Sequence, residues 1–241
     1  MSLMRFVRQD LVLLLMNKTD SVEAWTAYRD AITQFNSEAR LLAVSKGRPI
    51  AAIELFADLG QRDFAESYWQ EASEKISVLS SRSLVWHFIG RLQSNKCAEI
   101  AKHCDWVHSL CDVRHARALN HSRPDSRPPL SVCLQVNVTG EASKAGVSEQ
   151  ALYDLAKEVE ALPRLALKGL MTMLPKGYDE TQQRDAFLRC AQWRDTCEKA
   201  LGVDLPELSM GMTQDYQQAL LAGATWVRIG SGLFREPEFG E

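Results

Sequence analysis

The sequence predicts a single (β/α)8 barrel from three observations: its length, a strict alternation of strand-like and helix-like segments, and the number of strand-like ones. At 241 residues the chain is longer than the commonest domain, yet one α/β barrel of about 250 residues fits it without a second domain. Short β-branched or apolar runs recur along it, each followed by apolar residues at helical spacing. Strand and helix in alternation argue for a parallel sheet, and eight repeats argue for closure over an open doubly wound sheet.

Taken in order, Val22, Trp25, Ile32 and Phe35 mark a helix before the first strand, which is expected at Leu41–Ser45. A helix over 50–59 and a strand at Asp63–Glu66 follow, then a helix over 69–79 and a strand at Val85–Ile89. Next come a helix over 94–103, a strand at Trp106–Leu110, a helix over 112–121 and a strand at Val132–Val138. The second half continues with a helix over 148–161, strand Leu167–Met171, helix 181–201, strand Glu207–Met210, helix 214–222 and strand Trp226–Ile229. Pro49 opens a helix, Gly60 and Gly223 close helices, and Arg123 to Pro129 reads as an exposed connector. No composition shift suggests a boundary after about residue 20, so 1–20 is expected to be an N-terminal extension and 21–241 the barrel. Met1 to Leu3 is compatible with a cloning remnant.

Composition narrows the function classes. Hydrophobic residues at 46% and charged residues at 24% are ordinary globular usage, sufficient for a sizeable core. A net charge of -3 provides no basic excess for phosphate backbones, so nucleic acid is not expected as a partner. The apolar run Leu11 to Met16 is far short of the roughly 20 residues that span a bilayer, and no small-residue cleavage site follows it. No membrane association and a cytoplasmic location are therefore expected. The six cysteines at 97, 104, 111, 133, 190 and 197 form no Cys-x-x-Cys pair and lie near no histidine at zinc spacing, so no metal site is expected. Small buried thiols in a reducing compartment account for them.

In such a barrel the site lies where strands end and βα loops begin. Those positions hold Ser45-Lys46-Gly47, Glu66-Ser67-Tyr68, Gly90 to Lys96, Ser209-Met210-Gly211-Met212-Thr213 and Arg228-Ile229-Gly230-Ser231-Gly232. Lys46 follows a dry strand. It is either a lysine reaching solvent from a strand end or an amine whose lowered pKa frees it to form a Schiff base with an aldehyde. The turns at Ser209-Met210-Gly211 and Gly230-Ser231-Gly232 can aim N–H groups and hydroxyls at a phosphate, and they fall on strands seven and eight, where barrels commonly hold one. Arg228 lies inside an apolar strand and needs a partner. That partner is either a carboxylate such as Glu66 or Glu207, or an acceptor on a ligand such as a pyridine nitrogen. His87 reads as a satisfied core histidine.

These segments together resemble the pyridoxal-phosphate homeostasis protein family, also called the proline-synthetase co-transcribed family, which shares its barrel with the N-terminal domain of alanine racemases. The resemblance is collinear over residues 37 to 235. It rests on Ala43-Val44-Ser45-Lys46, Phe64 to Glu71, Trp86-His87-Phe88-Ile89-Gly90, Leu92 to Lys96 and Gln135 to Val138. Ser143-Lys144-Ala145-Gly146, Gly169-Leu170-Met171, Leu208 to Met212 and Val227-Arg228-Ile229-Gly230 complete it. It implies that Lys46 carries pyridoxal 5'-phosphate (PLP) as a Schiff base and that Ser209, Met210, Gly230 and Ser231 surround the phosphate, with Gly211 in the same turn. It also implies that Arg228 faces the pyridine nitrogen. The family's second-strand motif reads Phe-Gly-Glu-Asn-Tyr. This chain has Ala65 for the glycine and Ser67 for an asparagine beside the cofactor, a shorter side chain with fewer hydrogen bonds. Arg91 stands where proline or histidine is frequent.

The function so implied is that of a PLP-binding protein in intracellular PLP homeostasis, buffering or delivering the cofactor without turnover of its own. Its expected partners are PLP and PLP-dependent apo-enzymes, and it is expected to act as a monomer. The competing reading is a PLP-dependent amino-acid racemase. A two-base racemase needs proton-transfer groups on both faces of the cofactor, and relatives take one from a second, all-β domain. About ten residues follow the eighth strand here, which argues against that reading. An arginine at the pyridine nitrogen also weakens the ring as an electron sink. A third reading is an unrelated phosphate-ligand barrel, such as a sugar-phosphate lyase using Lys46.

Overall fold

The computed structural model describes residues 3–141 and 145–234, with side chains from residue 19 onward. Ser143 and Lys144 of the expected motif lie outside the described residues. A helix, α1 (Leu3–Phe35), leads into eight strands that close in sequence order: β1 (Arg40–Val44), β2 (Asp63–Glu66), β3 (Val85–Phe88), β4 (Trp106–Leu110), β5 (Leu130–Gln135), β6 (Leu165–Met171), β7 (Glu207–Met212) and β8 (Trp226–Ile229). Every neighbouring pair is parallel, and β8 returns to β1 with Leu42 opposite Arg228. The intervening helices are α2 (Ile50–Asp58), α3 (Trp69–Val78), α4 (Ser94–His103), α5 (Val113–Ser122), α6 (Glu149–Glu160), α7 (Glu180–Leu201) and α8 (Tyr216–Leu221).

Side chains alternate across each strand, and the two faces separate cleanly. Outward residues such as Leu41, Ala43, Phe64, Phe88, Val107, Leu208, Val227 and Ile229 join the helices in one large core. Inward residues Leu42, Val44, Ala65 and Trp226 form a second, smaller cluster, with Ile89 and Trp106 against it. The lower interior is closed by the Arg40 guanidinium, 3.8 Å from the Trp226 ring centroid and paired with Glu207.

Element boundaries differ from the sequence expectation by a few residues. β5 starts at Leu130 and ends at Gln135; the next residue, Val136, still donates to the Met171 carbonyl at 2.9 Å and also bridges Val147. α1 runs without a break across residue 20. Its Trp25 indole donates to Gln61 Oε1 at 3.0 Å, and a Cβ on Gly232 would meet the Tyr28 hydroxyl at 2.4 Å, so α1 is packed onto the turn after β8. The connector over 124–129 is exposed or half-buried, as expected, and Arg123 alone departs from that reading. It is buried and donates to the carbonyls of Ala101, Cys104 and Pro128 at 2.7, 2.7 and 2.8 Å. Cys97 lies on α4 and Cys104 one residue past its end, while Cys190 and Cys197 both lie on α7. All six cysteines are free and all but Cys111 are buried.

Among the described residues no helix is long and apolar enough to cross a membrane, and no three His, Cys, Asp or Glu side chains gather as metal ligands.

Candidate functional site

At the mouth of the barrel the inner face of β1 runs Leu42, Val44 and, by alternation, Lys46. Ser45 faces outward. Its N–H still donates to Ala65 O at 3.0 Å, so the strand geometry persists to the residue before Lys46. Lys46 is exposed and has no hydrogen bond or ion pair among the described residues. On β8, which pairs with β1, Arg228 stands opposite Leu42, two inward positions below Lys46, with Gly230 beyond, where a Cβ would sit 3.5 Å from that of Val44. Ser231 is exposed at the same turn.

Arg228 is 3% exposed. The two carboxylates expected as its partners are taken: Glu207 pairs with Arg40, and Glu66 with Lys75 at 2.7 Å. Its guanidinium donates from Nη1 to Ser209 Oγ at 2.9 Å and from Nη2 to the Thr172 carbonyl at 2.8 Å. A guanidinium has five N–H donors, so donors remain for a ligand. Burial lowers its pKa to about 10, while Asp215 opposes the shift by attraction. The cation is retained at neutral pH.

The structure places the other expected site residues unevenly. Ser209 is fully buried, and its hydroxyl bonds to Arg228 and, at 2.7 Å, to His108 Nδ1; that oxygen lies inside the barrel. The Met210 side chain is on the outer face, in the core beneath the helices. Gly211 has φ +88°, and a Cβ there would come within 2.5 Å of that of Ala219, so α8 packs directly on this strand end. Ser67 lines a cleft of about 250 Å³ with Tyr68, Trp69, Arg91 and Lys96. A Cβ on Gly90 would lie 1.9 Å from the Ser67 carbonyl oxygen, which makes glycine the residue that fits between the β2 and β3 ends. A larger cleft of about 740 Å³ opens over β3, β4 and β5, with Arg91, Gln93, Ser109, Asp112 and Gln135 among its walls.

Two groups around the site, one in the barrel wall and one in its interior, were not singled out from the sequence. Lys75, on α3 and buried, donates to the Ser45 carbonyl at 2.7 Å, to Glu66 Oε1 at 2.7 Å and to Glu71 Oε1 at 2.5 Å. Glu71 also accepts the Gly47 N–H at 2.6 Å, so this cluster holds both residues flanking Lys46. Burial raises the pKa of Glu66, against the lowering effect of Lys75 and Ser45. His108 is the second: its Nε2 meets His87 Nδ1 at 2.9 Å, and His87 Nε2 meets Asp63 Oδ1 at 3.0 Å. His87 is thus a satisfied core histidine, as its place in an apolar strand suggested. The helical spacing of Lys75 from Glu71 was a usable signal; nothing local marked His108.

Residues 23–237 match the family described as alanine racemase, N-terminal domain. The chain is 46% identical over 200 residues to the pyridoxal phosphate homeostasis protein of Pseudomonas aeruginosa, covering 83% of this chain and 85% of that one. It is 41% identical over 207 residues to the protein of the same name from Escherichia coli, covering 85% and 88%. The solved structure of PipY from Synechococcus elongatus with PLP bound superposes with a TM-score of 0.82 at 32% identity, covering 89% of this chain and 99% of that one.

Proposed function

Because the chain belongs to the pyridoxal phosphate homeostasis protein family, on the barrel of the alanine racemase N-terminal domain, we propose that it holds PLP as a Schiff base on Lys46 and buffers or delivers it within the cytoplasm. The observation that carries this reading is Arg228: a buried guanidinium with no carboxylate partner and with donors to spare, on the strand beside Lys46. Such a group is costly to keep without an acceptor to face. A pyridine nitrogen is an acceptor of the right kind.

Lys46 supplies the amine. Its condensation with the aldehyde makes a C=N bond, and the carbonyl oxygen leaves as water with the amine's two protons. The phosphate is assigned to the Met210-Gly211 and Gly230-Ser231 turns, through main-chain N–H groups and the exposed Ser231 hydroxyl. Ser209 contributes by seating Arg228, since its hydroxyl is committed below the mouth. Ser67 lies beside the cofactor in the asparagine's place and offers it less.

When bound, PLP supplies a ring that can accept electrons from a substrate carbon. A guanidinium only donates, so a ring nitrogen facing Arg228 stays unprotonated and that capacity is weak. This favours holding over racemisation, with PLP-dependent apo-enzymes as recipients and the protein acting as a monomer.

The test has two arms. Loaded protein mixed with the apo form of a PLP-dependent enzyme is expected to restore that enzyme's activity, while α-deuterated amino acids incubated with the loaded protein keep their label. Protein-dependent loss of the label would reinstate the racemase. Arg228→Ala is expected to move the bound-cofactor absorbance further than Arg91→Ala does; equal and negligible shifts would remove Arg228 from its role.

A further inference from the structure

We propose that Asp63, His87, His108 and Ser209 form a one-way hydrogen-bond chain across the barrel interior that positions Arg228 and fixes it as a donor toward the mouth. These four are positioning residues. The proposal rests on the PLP reading only for what Arg228 faces; the chain itself stands on protein contacts.

The four links measure 3.0 Å from Asp63 to His87, 2.9 Å from His87 to His108, 2.7 Å from His108 to Ser209 and 2.9 Å from Ser209 to Arg228. Their direction follows from the ends. Arg228 can only donate, and an ionised Asp63 can only accept. With both imidazoles neutral, His87 must carry its proton on Nε2 to reach Asp63, which leaves Nδ1 as an acceptor. His108 must then donate from Nε2 and accept at Nδ1. The Ser209 hydroxyl proton goes to that Nδ1, and its oxygen lone pairs receive Arg228 Nη1. Every hydrogen points from the mouth toward Asp63, whose side chain is 26% exposed. Reversing any one link leaves two hydrogens or two lone pairs face to face, so the neutral chain has one arrangement.

The surroundings keep it neutral. His87 stacks on Trp106 with 6° between the rings and meets Trp226 at 5.0 Å. Asp63 and Asp105 favour its protonation and Arg40 opposes it, while burial outweighs them and lowers its pKa. Asp105 is itself paired with Arg127. His108 faces His87, Arg228 and Arg40, all of which add to the effect of burial, and its pKa falls well below the ordinary value. A proton on His108 would take over the Ser209 oxygen and put a second cation beside Arg228. The chain excludes that state, so Arg228 keeps a fixed acceptor on one side while its free N–H groups address the mouth.

Long-range 15N–1H spectra of the wild-type protein, taken with and without PLP, read the chain directly. Both His87 and His108 are expected as neutral Nε2–H tautomers at neutral pH, with any titration falling below the ordinary 6.5. An Nδ1–H form of either ring, or a titration step near 6.5, would overturn the proposal whatever the cofactor does. In PLP-loaded protein, His108→Phe and Ser209→Ala are expected to shift the cofactor band and weaken PLP binding about tenfold, the loss of one hydrogen bond to a charged group. Ser209→Thr should restore both. Unchanged spectra and affinity in these variants, with PLP still fixed on Lys46 by borohydride, would sink the chain and leave the PLP reading standing. Correct tautomers with no PLP on Lys46 would do the reverse.

Discussion

Two buried polar clusters meet at the Lys46 end of the barrel from opposite sides of its wall, and they solve the problem of burial differently. Inside, Arg228 is the one cation of a chain completed by a hydroxyl and two neutral imidazoles. Outside, Lys75 is surrounded by Glu66, Glu71 and the Ser45 carbonyl, and the other Glu66 oxygen, Oε2, is buried without a partner. The inner cluster depends on hydrogen direction and the outer one on charge balance. A buried charge left without its partner costs more than a buried neutral hydrogen bond, so the outer cluster should be the more fragile and the inner one the more sensitive to acid.

The largest effect should follow from Lys75→Met, which strands Glu66 in the wall. Urea unfolding is expected to show a loss of about 3–5 kcal/mol, part of it recovered in the Lys75→Met, Glu66→Gln double variant. A loss no greater than that of an exposed ion pair would erase the contrast. His108→Phe should cost less, about 1–3 kcal/mol, because the groups it leaves behind are neutral. A larger loss than that of Lys75→Met would invert the ranking.

Acid sharpens the comparison with opposite signs. The two histidines have pKa values below their ordinary 6.5, so the unfolded chain takes up protons that the folded chain refuses. Their contribution is present above pH 6.5 and is lost as pH falls toward the folded values. Glu66 is raised above 4.5, so its contribution is present below that pH and is lost as pH rises. From pH 7 to 5 the histidines should dominate, lowering stability by up to about 1.4 kcal/mol per pH unit for each. Denaturant midpoints measured across that range should flatten in His108→Phe; an undiminished slope there would contradict the assignment.

The barrel was legible because alternation survives in a linear sequence: Leu42 and Val44 against Ala43, or Trp226 and Arg228 against Val227, reveal their faces without knowledge of neighbours. Candidate site residues could be named only where one strand end carried its own chemistry, as at Lys46 and Gly230. Arg228's need for a partner could be read from its apolar strand, but the choice between Glu66, Glu207 and a ligand depended on contacts across the barrel. There Lys75 and Arg40 had already claimed the carboxylates. His108 could not be found for the same reason: its partners are 21 and 101 residues away. Ser209 shows the converse, since its turn looked ready for phosphate while strand alternation points its hydroxyl inward.

The most direct measurement is borohydride reduction of the PLP-incubated protein followed by mass-spectrometric mapping of the modified lysine. The result expected is a stable adduct on Lys46, absent in Lys46→Ala. No adduct, or one confined to other lysines, would contradict the account.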